Sequence, residues 1–338
     1  MTNIYKIMFF ISMIMGTLIA ISSYSWLSMW MGLEINLLSI IPLMSSVKNI
    51  YPSESALKYF ITQAMASVIF LFAIILTMNL FEFSPLNSNL VLMMILNSAL
   101  LTKMGAAPFH FWFPEIMEGL SWVNCLIMLT WQKIAPMVLL MFNLKMFMFL
   151  SIIIIFCATV SGILGLNQIS LRKIMTYSSI NHIGWMIAAM FSFQNIWLIY
   201  FLIYSLISFN IIVIFLKLNI FYMKQLINSM NYSKLVKIFF ILNFLSLAGL
   251  PPFLGFLPKW LTINFLVSKN FLALSVILII FTLMALFFYL RLSFTALIIN
   301  TNELILVTQK MKLSFSILMV NFFSLAGLLI STFIFNFF

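Results

Sequence analysis

Four charged side chains lie inside the long apolar stretches of this chain: Glu34, Lys103, Lys133 and Lys259. A charge near the middle of a bilayer costs roughly 2.5–3.5 kcal/mol on insertion scales, so chains keep one there when it lines a path or pairs internally. The chemistry open to these four is proton transfer. An amine stripped of solvent releases its proton more readily than one in water, and a nearby carboxylate restores its hold. Moving that carboxylate switches the amine between loading and release, with no cofactor needed. Lys133 stands near the middle of the apolar run 120–142. Either end of a helix there is roughly 15 Å away at about 1.5 Å per residue, too far for its stem to reach the interface. Lys133 therefore reads as an interior carrier, and Lys103 with Glu34 as a switch.

Two of the lysines flank a repeated template. Gly105-Ala106-Ala107-Pro108-Phe109 runs on to Pro114, and Gly249-Leu250-Pro251-Pro252-Phe253 runs on to Pro258. Gly and Pro here interrupt helices that would otherwise cross a membrane, and paired interrupted helices in the two halves of a membrane chain point to an ion or substrate path. Lys259 follows Pro258, where it either gates such a path or caps the freed carbonyls of a half-helix. His110, just past Pro108, reads as an extension of a proton wire or as a histidine bonded to unwound carbonyls. Ser178 and His182 share one helix face, with Tyr177 beside them. That polar stripe is either a secondary relay or interhelical glue. Glu115 and Glu118 are a proton-uptake group or simple surface charge. Arg291 is expected to snorkel or to pair with lipid or a neighbouring subunit.

These residues need a membrane-embedded scaffold, and the composition supplies one. Of 338 residues, 64% are hydrophobic and 7% charged, far below the roughly 25% charged residues of soluble domains. The fold expected is an all-α polytopic membrane protein with about eleven transmembrane helices. They lie near 3–22, 25–45, 55–79, 89–118 (interrupted), 120–142, 146–167, 170–191, 195–218, 236–268 (interrupted), 271–299 and 313–336. Five spans separate the two breaks, and an odd number inverts the second copy. The expectation is two inverted five-helix repeats, 1–142 and 143–299, each with a broken helix, followed by a loop and final helix over 300–338. Lys and Arg sort to one side of this arrangement, with Lys145 and Lys269 alone on the other, which places the N-terminus on the positive side.

Composition also excludes classes. The net charge is +11, but the basic residues are scattered singly through loops, so no nucleic-acid partner is expected. Cys125 and Cys157 stand alone in apolar segments and offer neither a disulfide framework nor an iron–sulfur or zinc site. The two histidines lack carboxylate help for a metal and cannot make a bis-histidine haem site. There is no Gly-x-Gly-x-x-Gly or Walker-type loop, so NADH and ATP sites are not expected. The first span begins almost at once, without an Arg-rich transit segment, as in a chain made inside its own compartment or inserted co-translationally.

Five stretches carry a family resemblance: Trp30-Met31-Gly32-Leu33-Glu34-Ile35-Asn36; Lys103-Met104-Gly105-Ala106-Ala107-Pro108-Phe109-His110-Phe111-Trp112; Thr130-Trp131-Gln132-Lys133-Ile134-Ala135-Pro136; Tyr177-Ser178-Ser179-Ile180-Asn181-His182-Ile183-Gly184-Trp185; and Gly249-Leu250-Pro251-Pro252-Phe253 through Phe256-Leu257-Pro258-Lys259-Trp260. In this order they closely resemble the antiporter-like membrane subunits of mitochondrial NADH–ubiquinone oxidoreductase (complex I), over essentially the whole chain. Those subunits usually have about fourteen helices; this chain looks like the animal form lacking the first three, with insect-like composition. The resemblance implies a proton-translocating subunit whose path runs through Glu34, Lys103, Lys133 and Lys259, with His182 at a matching position. It also implies the mitochondrial inner membrane, the N-terminus in the matrix, and other membrane-arm subunits and phospholipids such as cardiolipin as partners. FMN, iron–sulfur clusters and ubiquinone would belong to other subunits. Two rivals remain at this point: a subunit of a multi-subunit cation/proton antiporter, and a structural spacer without its own path.

Overall fold

A lipid-embedded backbone has no water to bond with, so each crossing segment must satisfy its own N–H and C=O groups, and helices do this. The computed structural model describes residues 4–46, 49–83, 90–230 and 234–298, with a few positions between 321 and 327. Among the described residues the chain forms fourteen helices. In order they are α1 (Ile4–Ser22), α2 (Trp26–Met44), α3 (Ile50–Phe83), α4 (Leu90–Met104), α5 (Trp112–Gly119), α6 (Trp122–Leu129), α7 (Trp131–Met141), α8 (Phe147–Gly165), α9 (Leu171–Met190), α10 (Gln194–Leu218), α11 (Met223–Met230), α12 (Lys234–Ala248), α13 (Phe256–Ser268) and α14 (Leu272–Ile298). Both expected interruptions are present, between α4 and α5 and between α12 and α13. The eleventh expected span, 313–336, lies almost wholly outside the described residues.

Two features depart from the expected spans. The run 120–142 is not one helix but two, parted at Thr130, whose backbone turns to φ −114° and ψ −72°. The Thr130 hydroxyl donates back to the Leu126 carbonyl at 2.7 Å, competing with the helix ladder. Pro136, inside α7, has no N–H to offer the Gln132 carbonyl. The second departure is α11, a short helix between the spans expected at 195–218 and 236–268.

The chain packs as two compact units, Met1–Cys157 and Ala158–Phe338. The division falls at 157/158, whereas the repeats expected from the span count divide at 142/143. In the first unit, α1 lies against α2, α2 against α3, and α4 against both α3 and α7. Gly16 and Gly32 let α1 and α2 approach backbone to backbone: a Cβ on Gly32 would sit 2.5 Å from the Ala20 nitrogen, and one on Gly16 2.8 Å from that of Asn36. Small residues at such crossings are how helices associate in lipid, where close packing replaces the hydrophobic effect. Gly32→Val should therefore part α1 from α2 and cost about 1–3 kcal/mol by overpacking. Loss of the subunit at a milder detergent or heat challenge than the parent protein would show it; unchanged resistance would contradict it.

In the second unit α9 is central, with nearly every residue buried, and it packs on α10, α13 and α14. Arg291 on α14 turns to the backbone of its own chain. Its guanidinium donates to the carbonyls of Leu166 and, at 2.8 Å, Gln168, tying down the turn that follows α8. A guanidinium fork suits two adjacent carbonyls, and the freed acceptors past a helix end supply them.

Candidate functional site

The two copies of the template close their helices in one way. The Gly105 N–H donates to the Thr102 carbonyl at 3.1 Å and that of Ala106 to Leu101 at 3.0 Å; Gly249 and Leu250 repeat this to Ser246 and Leu245 at 3.0 and 3.3 Å. This is the Schellman closure, which needs a left-handed residue just past the helix. Gly105 and Gly249 supply it at φ 73° and 80°, a region costly to residues with a Cβ. The peptide bonds before Pro108 and Pro252 are both cis. What differs is who satisfies the polar groups set loose by the break.

At the first break, the Trp112 indole donates to the Thr102 carbonyl at 3.1 Å, and the Ala107 N–H is 3.3 Å from the Cys157 sulfur. His110 is buried, with Nδ1 3.3 Å from the Pro108 carbonyl. Its Nε2 is buried with no hydrogen-bond partner among the described residues. Phe113 packs on Gly105, its Cβ 3.2 Å from where a glycine Cβ would stand. The same ring lies 5.7 Å from the Lys133 ammonium, within cation–π range. Lys133 is 1% exposed and sits on the turn just after the Thr130 break.

Lys103, 7% exposed, lies in the last turn of α4, two residues before Gly105. It lines a small polar cavity with Asn36, Tyr59, Gln63 and Gln132. Glu34 is half-buried and near enough to Lys103 to act through space, but no direct ion pair joins the two. Lys58 forms ion pairs with Glu54 at 3.1 Å and with Glu115 at 3.3 Å, all three side chains well exposed. Glu115 is thus a surface ion-pair member.

At the second break Lys259 does the capping itself. Its ammonium donates to the Ala248 carbonyl at 2.7 Å and the Leu247 carbonyl at 3.4 Å, and its stem lies on Gly249, where a Cβ would stand 2.7 Å from Cδ. The Trp185 ring is 5.8 Å from the ammonium. Lys259 is 7% exposed. His182, on α9, bonds the Tyr200 hydroxyl at 2.9 Å and stacks near Tyr204 at 4.9 Å. Ser178 instead donates back to the Met175 carbonyl at 2.7 Å. A second small cavity brings His182, Tyr200 and Tyr204 together with Ser246, Leu247 and Pro258 beside the second break. Sequence reasoning missed Tyr200, Tyr204, Gln132 and Cys157. For Tyr200, Tyr204 and Gln132 the available signal was a hydroxyl or amide inside an apolar span, since each must find a partner there; the Cys157 thiol gave no such signal.

Three buried amines, each at the interruption of a membrane-embedded helix, fit a membrane protein of the antiporter type, and comparison with known proteins agrees. The family described as NADH:quinone oxidoreductase/Mrp antiporter, transmembrane, matches residues 23–285. NADH-ubiquinone oxidoreductase chain 2 of Anopheles gambiae is 50% identical over 99% of both chains, and that of Locusta migratoria is 46% identical over 89% of this chain and 88% of the other. A chain of respiratory complex I from Thermus thermophilus shares the fold at a TM-score of 0.84, 22% identical, covering 98% of this chain and 79% of that one. This chain belongs to the NADH-ubiquinone oxidoreductase chain 2 family.

Proposed function

We propose that this chain is a proton-translocating membrane-arm subunit of respiratory NADH–ubiquinone oxidoreductase. Electron transfer from NADH to ubiquinone takes place in other subunits, which hold the FMN and iron–sulfur clusters and bind the quinone. This subunit turns the resulting electrostatic or conformational signal into proton movement. The observation that carries the reading is the placement of Lys103, Lys133 and Lys259, each buried and each at a helix break. An amine beside unwound backbone can gain and lose partners without breaking a continuous helix, which a proton carrier requires. Lys103 with Glu34 acts as the switch, Lys133 as the carrier and Lys259 as the gate; His110, His182 and Ser178 are secondary relay groups. The carbonyl cap made by Lys259 supports the gate role, because loss of one proton leaves a neutral amine that holds the Ala248 carbonyl less strongly than the ammonium does. The working place is the mitochondrial inner membrane, with the N-terminus in the matrix, other membrane-arm subunits as neighbours and cardiolipin among the surrounding lipids.

The test is proton stoichiometry. In sealed vesicles of the assembled complex, Glu34→Gln and Lys103→Met should each lower protons moved per NADH oxidised. Full stoichiometry and turnover in both variants would remove the proton path from this subunit and leave it a spacer.

A further inference from the structure

We infer that Asn36 and Gln132 form a positioning latch that ties the Glu34-bearing helix α2 to the Lys133-bearing turn of α7, and that it opens when its oxygens are drawn to the ammonium of Lys103. The inference rests on the proton-path reading above. The two amides are buried and bond each other reciprocally: Asn36 Nδ2 donates to Gln132 Oε1 at 3.0 Å, and Gln132 Nε2 donates to Asn36 Oδ1 at 3.0 Å. Tyr59 adds its hydroxyl to Gln132 Oε1 at 3.3 Å. Asn36 lies two residues beyond Glu34, and Gln132 immediately precedes Lys133. One pair of side chains therefore sets the spacing between two charged positions on different helices.

Three observations make this pair more than interhelical glue. Lys103 lines the same cavity as both amides, and that cavity has room for about one water molecule. An ammonium has three donors and no acceptor, and one water cannot satisfy it. The amide oxygens on the cavity wall are the groups able to complete its shell. Gln63 also lines the cavity, and its buried Nε2 has no hydrogen-bond partner among the described residues. That orphan donor can take an acceptor when the pair rearranges. Lastly, the α7 turn carrying Gln132 is loosened on both sides, by the Thr130 break and by the bond Pro136 cannot make. It can shift without tearing a regular helix. The charges bordering this region from the packed helices are Glu34 on α2, Lys103 on α4 and Lys133 on α7. A closed latch leaves Lys103 without the amide oxygens. An open one moves α2, and Glu34 with it, relative to the α7 turn.

The experiment uses the assembled complex in sealed vesicles, reading NADH:quinone turnover and protons per NADH for each assembled variant. Asn36→Leu or Gln132→Leu alone should reduce coupled turnover about fivefold or more, because the partner amide is left unsatisfied. The exchange Asn36→Gln with Gln132→Asn conserves both amides and the combined side-chain length, and should restore turnover and stoichiometry to near the parent values. The apolar pair, Asn36→Leu with Gln132→Leu, should assemble yet move fewer protons per NADH. Parent stoichiometry and turnover in the apolar pair would overturn the latch, as would an exchange variant that fails to recover. Should the apolar pair not assemble, the exchange variant decides alone. Glu34→Gln and Lys103→Met in parallel separate the two levels: if both also pump normally, the proton-path reading fails; if they are impaired while the apolar pair is not, only the latch fails.

Discussion

Lys133→Met is expected to cut coupled NADH:quinone turnover by about tenfold or more in the assembled complex, a conservative figure against the roughly 10²–10⁴ contributed by a positioned acid–base group. The side chain is fully buried, packed toward the Phe113 ring and seated on the turn that follows Thr130. Met keeps most of its volume and removes the exchangeable proton. Lys133→Arg supplies the discriminating measurement. Arginine stays charged throughout the accessible pH range, so it preserves any structural cation at this site but cannot load and release. If Lys133 is a carrier, the Arg variant pumps as poorly as the Met variant. Parent-like protons per NADH in the Arg variant, per assembled complex, would sink the carrier role and leave only a requirement for charge.

Gly255→Ala should largely abolish the assembled subunit. Gly255 precedes α13, and a Cβ there would overlap the Ser246 carbonyl oxygen at the end of α12. That same oxygen accepts the Gly249 N–H in the Schellman closure at 3.0 Å. Relieving the overlap pushes the start of α13 away from α12. Lys259, one turn further along, is then pulled from the carbonyls it caps. Overpacking alone costs about 1–3 kcal/mol, and carbonyls left bare in an apolar interior add about 1–3 kcal/mol more. Gly162→Ala is the control, since a Cβ there would meet nothing nearer than 3.4 Å, and it should assemble normally. Equal amounts of assembled complex from the two variants would show that the second break does not depend on this close approach.

Much of the fold could be read from residues 4–298 without coordinates, for reasons local to the chain. Crossing a bilayer takes about 20 apolar residues, and α1, α2, α8, α9 and α10 begin and end within a few residues of the expected spans. The breaks at Gly105 and Gly249 were legible because a Gly followed by Pro three residues later ends a helix wherever it occurs. The charged candidates were legible because an ionised group stands out in such a sequence. The break at Thr130 was not. The hydroxyl there turns back on the Leu126 carbonyl and Pro136 follows in α7, and neither feature interrupts a helix reliably in an apolar span. The role of Arg291 was also hidden, because its acceptors, Leu166 and Gln168, lie far away in sequence.

Sequence by itself determined where this chain crosses, where its helices break and which residues carry exchangeable charge, since hydropathy, Gly, Pro and ionisable groups act over one helix at a time. Tertiary structure decided the partners: Asn36 with Gln132, Cys157 with Ala107, His182 with Tyr200, and Lys259 with the carbonyls of the helix it follows. In a soluble helix an apolar stripe reveals which face turns inward. Here lipid-facing and core-facing sides are both apolar, so periodicity carries little information about facing. Only the packed helices reveal which polar atoms meet.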